Sequence, residues 1–411
     1  MGLALLLAWP LSGMAAGDCT QGLLQRLGWR FETAAVATPQ VHCAPVCQRA
    51  TLAQAQAAGD LQVRWPATLP AAAREALLQQ LLDDPATVCA YSFELGAAAQ
   101  RAAQAPQANA GFRFSGPQLG WIGFGAGGAQ AKGWQRFRSF GRGFAPSAGN
   151  SRALQTFYSG SVRAECGVGR QVAQLATQRE LYGDAAFDAE FTPAELSIGT
   201  FLSLHDTDSI LLGAHAGDYL ADGKAVRTAA LGRQAFVGVP GFIEHVFDAA
   251  TLDDLSNQAE NLIVVDVGEQ AAQALAAHGG FAWYDQRNRE LWQLAQGIPR
   301  LGQRYFERLL FERDPGLRAQ LSPRYRPVVE RMDQLLDDPF YQQFVIYVHP
   351  RGIRPIGYHV TRLLDRNPRT PFSIDLALHN LHTTLYRRWR EAQLGHCAAT
   401  RQPGSLTSDP N

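Results

Sequence analysis

The run LIVVDV at residues 262–267 constrains this chain more than any other stretch. An unbroken apolar segment rich in β-branched residues predicts a short buried strand. RQAFVGVPG (233–241) predicts a second strand, ended by Pro240 and Gly241, and FVIYVHP (344–350) a third. Helical periodicity surrounds them. AAAREALLQQLLDD (71–84) reads as a helix stopped by Pro85, and VVERMDQLLDD and HNLHTTLYRRWREAQ (379–393) read as two more. Residues 165–182 carry Val168, Val172, Leu175, Ala176 and Tyr182 as an apolar stripe at helical spacing, after a short strand and turn over 151–165. Strands that follow a Cys-bearing helix give an α+β fold class.

Composition narrows the function. The 411 residues carry no formal net charge, so nothing steers the chain to nucleic acid. The start, MGLALLLAWPLSGMAAGDC, is an apolar run closed by small residues. It reads as a secretory signal cut near Ala15 or Ala16, too short to span a membrane and without a basic leading region. No later segment is apolar enough to span one. Secretion, or residence in the periplasm or cell envelope, fits six cysteines: Cys19, Cys43, Cys47, Cys89, Cys166 and Cys397. In an oxidising compartment they would pair as disulfides.

Metal and cofactor sites are not predicted. His42 beside Cys43 and Cys47 lacks a second paired cluster, and His379 and His382, with His349 and His359 upstream, lack a carboxylate at ligand spacing. GFGAGG, within 105–150, does not match a dinucleotide fingerprint and reads as a loop.

Chemistry concentrates at SVRAECGVG (161–169), where Cys166 opens a helix and Gly167 and Gly169 keep its surroundings open. A helix N-terminus favours a thiolate, whereas the adjacent Glu165 opposes one. Such a nucleophile needs a base. Imidazole candidates are His205, His215, His245 and His278, of which His245 follows a strand. The carboxylate candidate is Glu260, just before the buried strand, where partial burial would make it a better base. A buried, inert thiol is the other reading of Cys166.

APSAG (145–149), FYSGSVRAECGVG (157–169) and NQAEN (257–261), in this order, resemble the spore-coat type of bacterial protein-glutamine gamma-glutamyltransferase. That family has Phe where Ala164 stands and Gly where Ala259 stands, and a His-containing stretch where this chain reads VDVGEQ. The resemblance covers about 110–268. It implies a papain/NlpC-like transglutaminase core flanked by helical regions, with Cys166 as nucleophile, Glu260 as base or partner, and Glu165 as the Glu before the nucleophile. The reaction implied is transfer of a Gln acyl group through a Cys166 thioester to a Lys amine, or to water, which gives deamidation. No cofactor is implied. The partners implied are proteins that carry Gln and Lys.

The division expected is a signal peptide (1–16), a Cys-containing helical domain (17–105), the catalytic domain (106–270), a mostly helical domain (271–397) and a disordered tail (398–411). Only Lys132 and Lys224 are lysines. A GC-rich genome explains that scarcity, and so does a cross-linking enzyme that must not couple to itself. Two alternatives remain open. One is a Cys amidase or peptidase that uses His245. The other is a non-catalytic exported protein that binds a partner through Tyr386, Trp389, Arg387, Arg388 and Arg390.

Overall fold

The structure is a computed structural model. It describes residues 16–44, 46, 49, 51–114, 131–138, 142–199, 204, 207–213, 236–245, 259–366, 371–376 and 381–399. The expected signal peptide, apart from Ala16, and the expected tail, apart from residues 398 and 399, lie outside them, as do GFGAGG, Cys47, His205, His215 and His379.

The chain folds as a mixed α+β protein of two compact units. One unit takes the chain up to Val46, Thr51–Tyr91, and everything from Thr383 on. The other takes Cys47–Ala50 and Ser92–His382. The expected boundary at 270 therefore falls inside a unit, because the strand just before it pairs with one near residue 346.

The first unit was expected to be helical, yet it holds a sheet. Strands β1 (Arg30–Thr33), β2 (Gln40–Cys43) and β3 (Leu61–Trp65) align in the order β1-β3-β2. β1 and β2 are short and largely exposed, so no apolar run marks them. Only β3 alternates buried and open positions, as a half-buried strand should. Helices α1 (Ala16–Arg26), α2 (Leu52–Ala58), α3 (Ala71–Leu82) and the first turns of α4 (Pro85–Ala108) complete this part. Pro85 does follow the end of α3, and it also opens α4, where its missing N–H costs nothing.

The C-terminal helix Leu381–Ala399 returns to this unit. Trp389 and Tyr386 pack on Tyr91, and the Tyr386 hydroxyl donates to the Leu82 carbonyl at 2.7 Å. The aromatic residues offered as a docking surface are thus buried core. Cys19 and Cys397 form a disulfide, and Cys89 is disulfide-bonded as well. Cys43 differs from expectation, being a free, exposed thiol.

The second unit contains two small sheets. β4 (Phe112–Phe114) pairs in parallel with β7 (Val162–Ala164). β5 (Trp134–Arg138), β6 (Arg142–Pro146) and β8 (Ile198–Gly199) form the other. Between them run α5 (Asn150–Gln155), then α6 (Cys166–Tyr182) and α7 (Asp184–Glu190); of the stretch 151–165, read as a short strand and turn, the start is helical and β7 is the strand.

The main sheet is antiparallel. β9 (Pro240–His245), β10 (Ala259–Val267), β11 (Phe344–Val348), β12 (Gly352–Pro355) and β13 (Phe372–Leu376) align as β12-β11-β10-β9-β13. Pro240 and Gly241, expected to end a strand, begin β9, since Pro is tolerated as a first strand residue.

β10 is the predicted buried strand and is covered on both faces. Leu262, Val264 and Val267 enter a large core beneath α8 (Glu269–Ala277), α9 (Phe281–Gln296), α10 (Arg326–Leu336), α11 (Pro339–Gln343) and α12 (Ile356–Arg366). Ile263 and Val265 pack with Tyr347 against Ala99 and Ala103 of α4 and Ala173 of α6. That alternation decides which side chains meet Cys166.

Candidate active site around Cys166

β7 ends at Ala164 and the chain turns directly into α6. Glu165 is the N-cap. Its carboxylate accepts from the backbone N–H of Gly167 and of Val168, each at 2.7 Å. A carboxylate at a helix N-terminus satisfies orphan donors and complements the dipole. Gly167 makes this possible, because a Cβ there would lie 2.6 Å from Glu165 Oε1.

The Cys166 thiol donates to Glu165 Oε2 at 3.5 Å. From the sheet side, Asn261 Nδ2 donates to Cys166 Sγ at 3.3 Å. Burial pushes the thiol pKa up, Glu165 pushes it the same way, and Asn261 opposes them. The resting sulfur is therefore a thiol placed between a carboxylate and an amide donor. It needs a proton acceptor before it can attack a carbonyl.

A second polar group shares this face. Val348 of β11 pairs with Leu262, and His349 follows it. The Tyr347 hydroxyl lies 3.4 Å from His349 Nδ1, and the Phe112 ring stands edge-on with centroids 4.2 Å apart. His349 presses on the first turn of α6 at Gly169, where a Cβ would come within 2.4 Å of the His349 Cβ. The two glycines do not hold the surroundings open. They admit a carboxylate and an imidazole at close range. His349 Nε2 is buried without a hydrogen-bond partner among the described residues, and burial lowers its pKa to about 4, so the ring is neutral.

Glu260 sits elsewhere. Successive strand residues point to opposite faces, so Glu260 and its neighbour Asn261 diverge. Glu260 is 2% exposed. Its carboxylate lies 2.5 Å from Arg351 Nη1 and 2.8 Å from Nδ1 of the buried His359 on α12. The rim position expected for it is not what the fold provides. Its charge still reaches Cys166 as the weakest of the influences that raise the thiol. The structure brings Cys166 and Glu165 together, and gives the contact expected of Glu260 to Asn261.

The histidines offered as bases lie apart from this face or outside the description. His245 ends β9, with its side chain outside the described residues. His278 stacks on Trp283 with centroids 3.7 Å apart. Among the described residues, no three His, Cys, Asp or Glu side chains gather as metal ligands, and no helix is long and apolar enough to cross a membrane.

Sequence reasoning passed over Asn261 and Arg351, and weighed His349 and His359 only as metal ligands. The signal for His349 was its position, two residues beyond Tyr347 on a strand and hence on the same face. Nothing in the sequence marks Asn261 over Glu260. No family model, curated protein or solved structure matches this chain.

Proposed function

We propose that the chain is a thiol-dependent acyltransferase of carboxamides, a protein-glutamine gamma-glutamyltransferase that also deamidates when water is the acceptor. One observation carries the reading. Cys166 Sγ lies at a helix start with a carboxylate 3.5 Å and an amide N–H 3.3 Å away. That is a nucleophile beside an acceptor for its proton and a donor for its developing charge. The helix bearing the Cys, packed against an antiparallel sheet, also suits the papain/NlpC-like core that the resemblance implies.

In this scheme Glu165 accepts the thiol proton as sulfur bonds to the Gln carboxamide carbon. The tetrahedral adduct collapses, the C–N bond breaks, and the nitrogen takes that proton to leave as ammonia. A Lys amine then attacks the thioester and gives up a proton. The sulfur departs as thiol, leaving an isopeptide bond. Asn261 donates to the sulfur as charge develops on it during attack and departure. Glu260, tied to Arg351 and His359, holds β10 and so Asn261 in place. Protein substrates bearing Gln and Lys are the partners. The Cys19–Cys397 disulfide supports secretion or residence in the cell envelope.

A second reading, a Cys amidase or peptidase with an imidazole base, draws on His349, which shares the Cys166 face of the sheet. One assay separates the two. The mature protein is incubated with a Gln-rich donor protein and a fluorescent primary amine while ammonia is followed, beside Cys166→Ala, Glu165→Gln and His349→Gln. The transferase reading expects labelling abolished by Cys166→Ala and cut about 100-fold or more by Glu165→Gln. A larger loss in His349→Gln, with hydrolysis and no labelling, selects the amidase. Labelling that survives Cys166→Ala overturns both.

A further inference from the structure

One charged group at the site has no part in this scheme. Arg170 follows Cys166 by one turn of α6 and is 4% exposed. Its Nη1 donates to Gln174 Oε1 at 2.6 Å, its guanidinium carbon lies 6.0 Å from the centre of the Phe242 ring, and its Nε has no hydrogen-bond partner among the described residues. Phe242 is the register partner of Asn261 across β9 and β10, and Asn261 is the residue that donates to the Cys166 sulfur. Arg170 and Cys166 therefore face one patch of the sheet.

Burying a cation is unfavourable unless a counter-charge meets it. Among the described residues no carboxylate forms an ion pair with Arg170. The acid whose field favours its charge most is Glu165, whose oxygens bind the backbone N–H groups of the helix start and lie beside the sulfur. The second influence is the sulfur, which carries a negative charge only once the Cys166 thiol ionises.

We propose that Arg170 is the counter-charge of the Cys166 thiolate, a positioning residue that acts on the sulfur through its field. Among the described residues, the other groups facing this sulfur are Glu165 from the N-cap, Asn261 from β10 with Glu260 behind it, and the neutral His349 with Tyr347 from β11. The carboxylates oppose ionisation and the imidazole is uncharged, so Arg170 is the cation among these described groups. Burial lowers Arg170 to about 10, against the influence of Glu165 and Cys166, which leaves it charged at neutral pH. The inference takes its catalytic meaning from Cys166 as nucleophile, but its test reads the thiol alone and stays interpretable if amine incorporation fails.

The test alkylates the intact protein with iodoacetate, an anion, and with iodoacetamide, which is neutral. Rates are read on the peptide containing Cys166, since Cys43 is also a free thiol. The reference is N-acetylcysteinamide. A cation beside the sulfur raises the iodoacetate-to-iodoacetamide ratio at Cys166 at least about threefold over the reference. Arg170→Met removes that preference and moves the midpoint of the pH–rate curve up by about one unit or more. Arg170→Lys restores both. A wild-type ratio at or below the reference overturns the proposal, as does an unmoved midpoint in Arg170→Met or a thiol inert to both reagents. The wild-type ratio decides alone if the methionine variant does not fold.

Discussion

Gly169→Ala tests the packing at the centre of the site. A Cβ at Gly169 would meet His349 Cβ at 2.4 Å, Cγ at 2.5 Å and Cδ2 at 2.8 Å. Ordinary carbon contacts begin about 1 Å further out. The imidazole cannot rotate clear, because its own Cβ is the closest atom and the Phe112 ring holds the other side. Overpacking of this kind costs about 1–3 kcal/mol, and the rigid contact argues for the upper half. Against this, Ala is about 1 kcal/mol better than Gly within a helix. The net expectation is a loss of about 1–2 kcal/mol. Gly22→Ala in α1 is the control, because nothing lies within 4 Å of a Cβ there. It should gain about 0.5–1 kcal/mol. Urea unfolding of the two variants, read by the midpoint at unchanged slope, measures both. A Gly169→Ala variant that gains as much as Gly22→Ala would refute the packing of His349 on α6, and with it the imidazole's place at the site.

His349 also predicts a pH dependence. Burial depresses its pKa to about 4, so the unfolded chain takes the proton first as pH falls. The stability it contributes is complete above about 6.5 and is lost between there and about 4, by up to about 3 kcal/mol. His349→Gln should flatten that part of the stability–pH curve, and an unaltered curve would disprove the burial. Glu307 behaves in the opposite chemical sense. Burial raises its carboxyl, but Arg304 Nε at 2.9 Å and Arg362 Nη1 at 2.6 Å outweigh that and hold it below its ordinary range. Its contribution is present above the carboxylate range and is lost progressively as pH falls from the ordinary carboxylate value through its lowered folded value, so Glu307→Gln should cost about 2 kcal/mol at pH 7 and less at pH 3. A cost that stays the same at both pH values would argue against the ion pairs. Thr51→Ala removes a capping box in which Thr51 Oγ1 accepts from Gln54 N at 3.1 Å and Gln54 Oε1 from Thr51 N at 3.3 Å. Thermal unfolding of the first unit should fall by the equivalent of about 1 kcal/mol, and no change would argue against the cap.

Elements with a strong local pattern were legible in the sequence. The apolar run at 262–267 became the second part of β10, and the stripe from Val168 to Tyr182 became the buried side of α6. Elements made by pairing alone were not. β1 and β2 carry mixed, exposed side chains, and β9 starts where its sequence advertises an end. The domain boundary at 270 failed for the same reason, since the β10–β11 pairing that crosses it is long-range. At the site, the Glu165–Cys166 pair was readable because neighbours at a helix start stay neighbours. Glu260 and Asn261 were not separable from sequence. Their roles depend on which face of β10 meets α6, and one residue of register exchanges them.

As the proposed acyltransferase nucleophile, Cys166 would form a thioester with a glutamine acyl group. Intact-mass and peptide-map analysis of the protein, acid-quenched during incubation with a Gln-containing peptide, reads this directly. The expected result is an adduct of the peptide's mass less ammonia on the fragment bearing Cys166, discharged when a primary amine is added and absent in Cys166→Ala. A Cys166 that iodoacetamide alkylates freely, but that carries no such adduct under turnover conditions with any Gln donor protein tried, would contradict it.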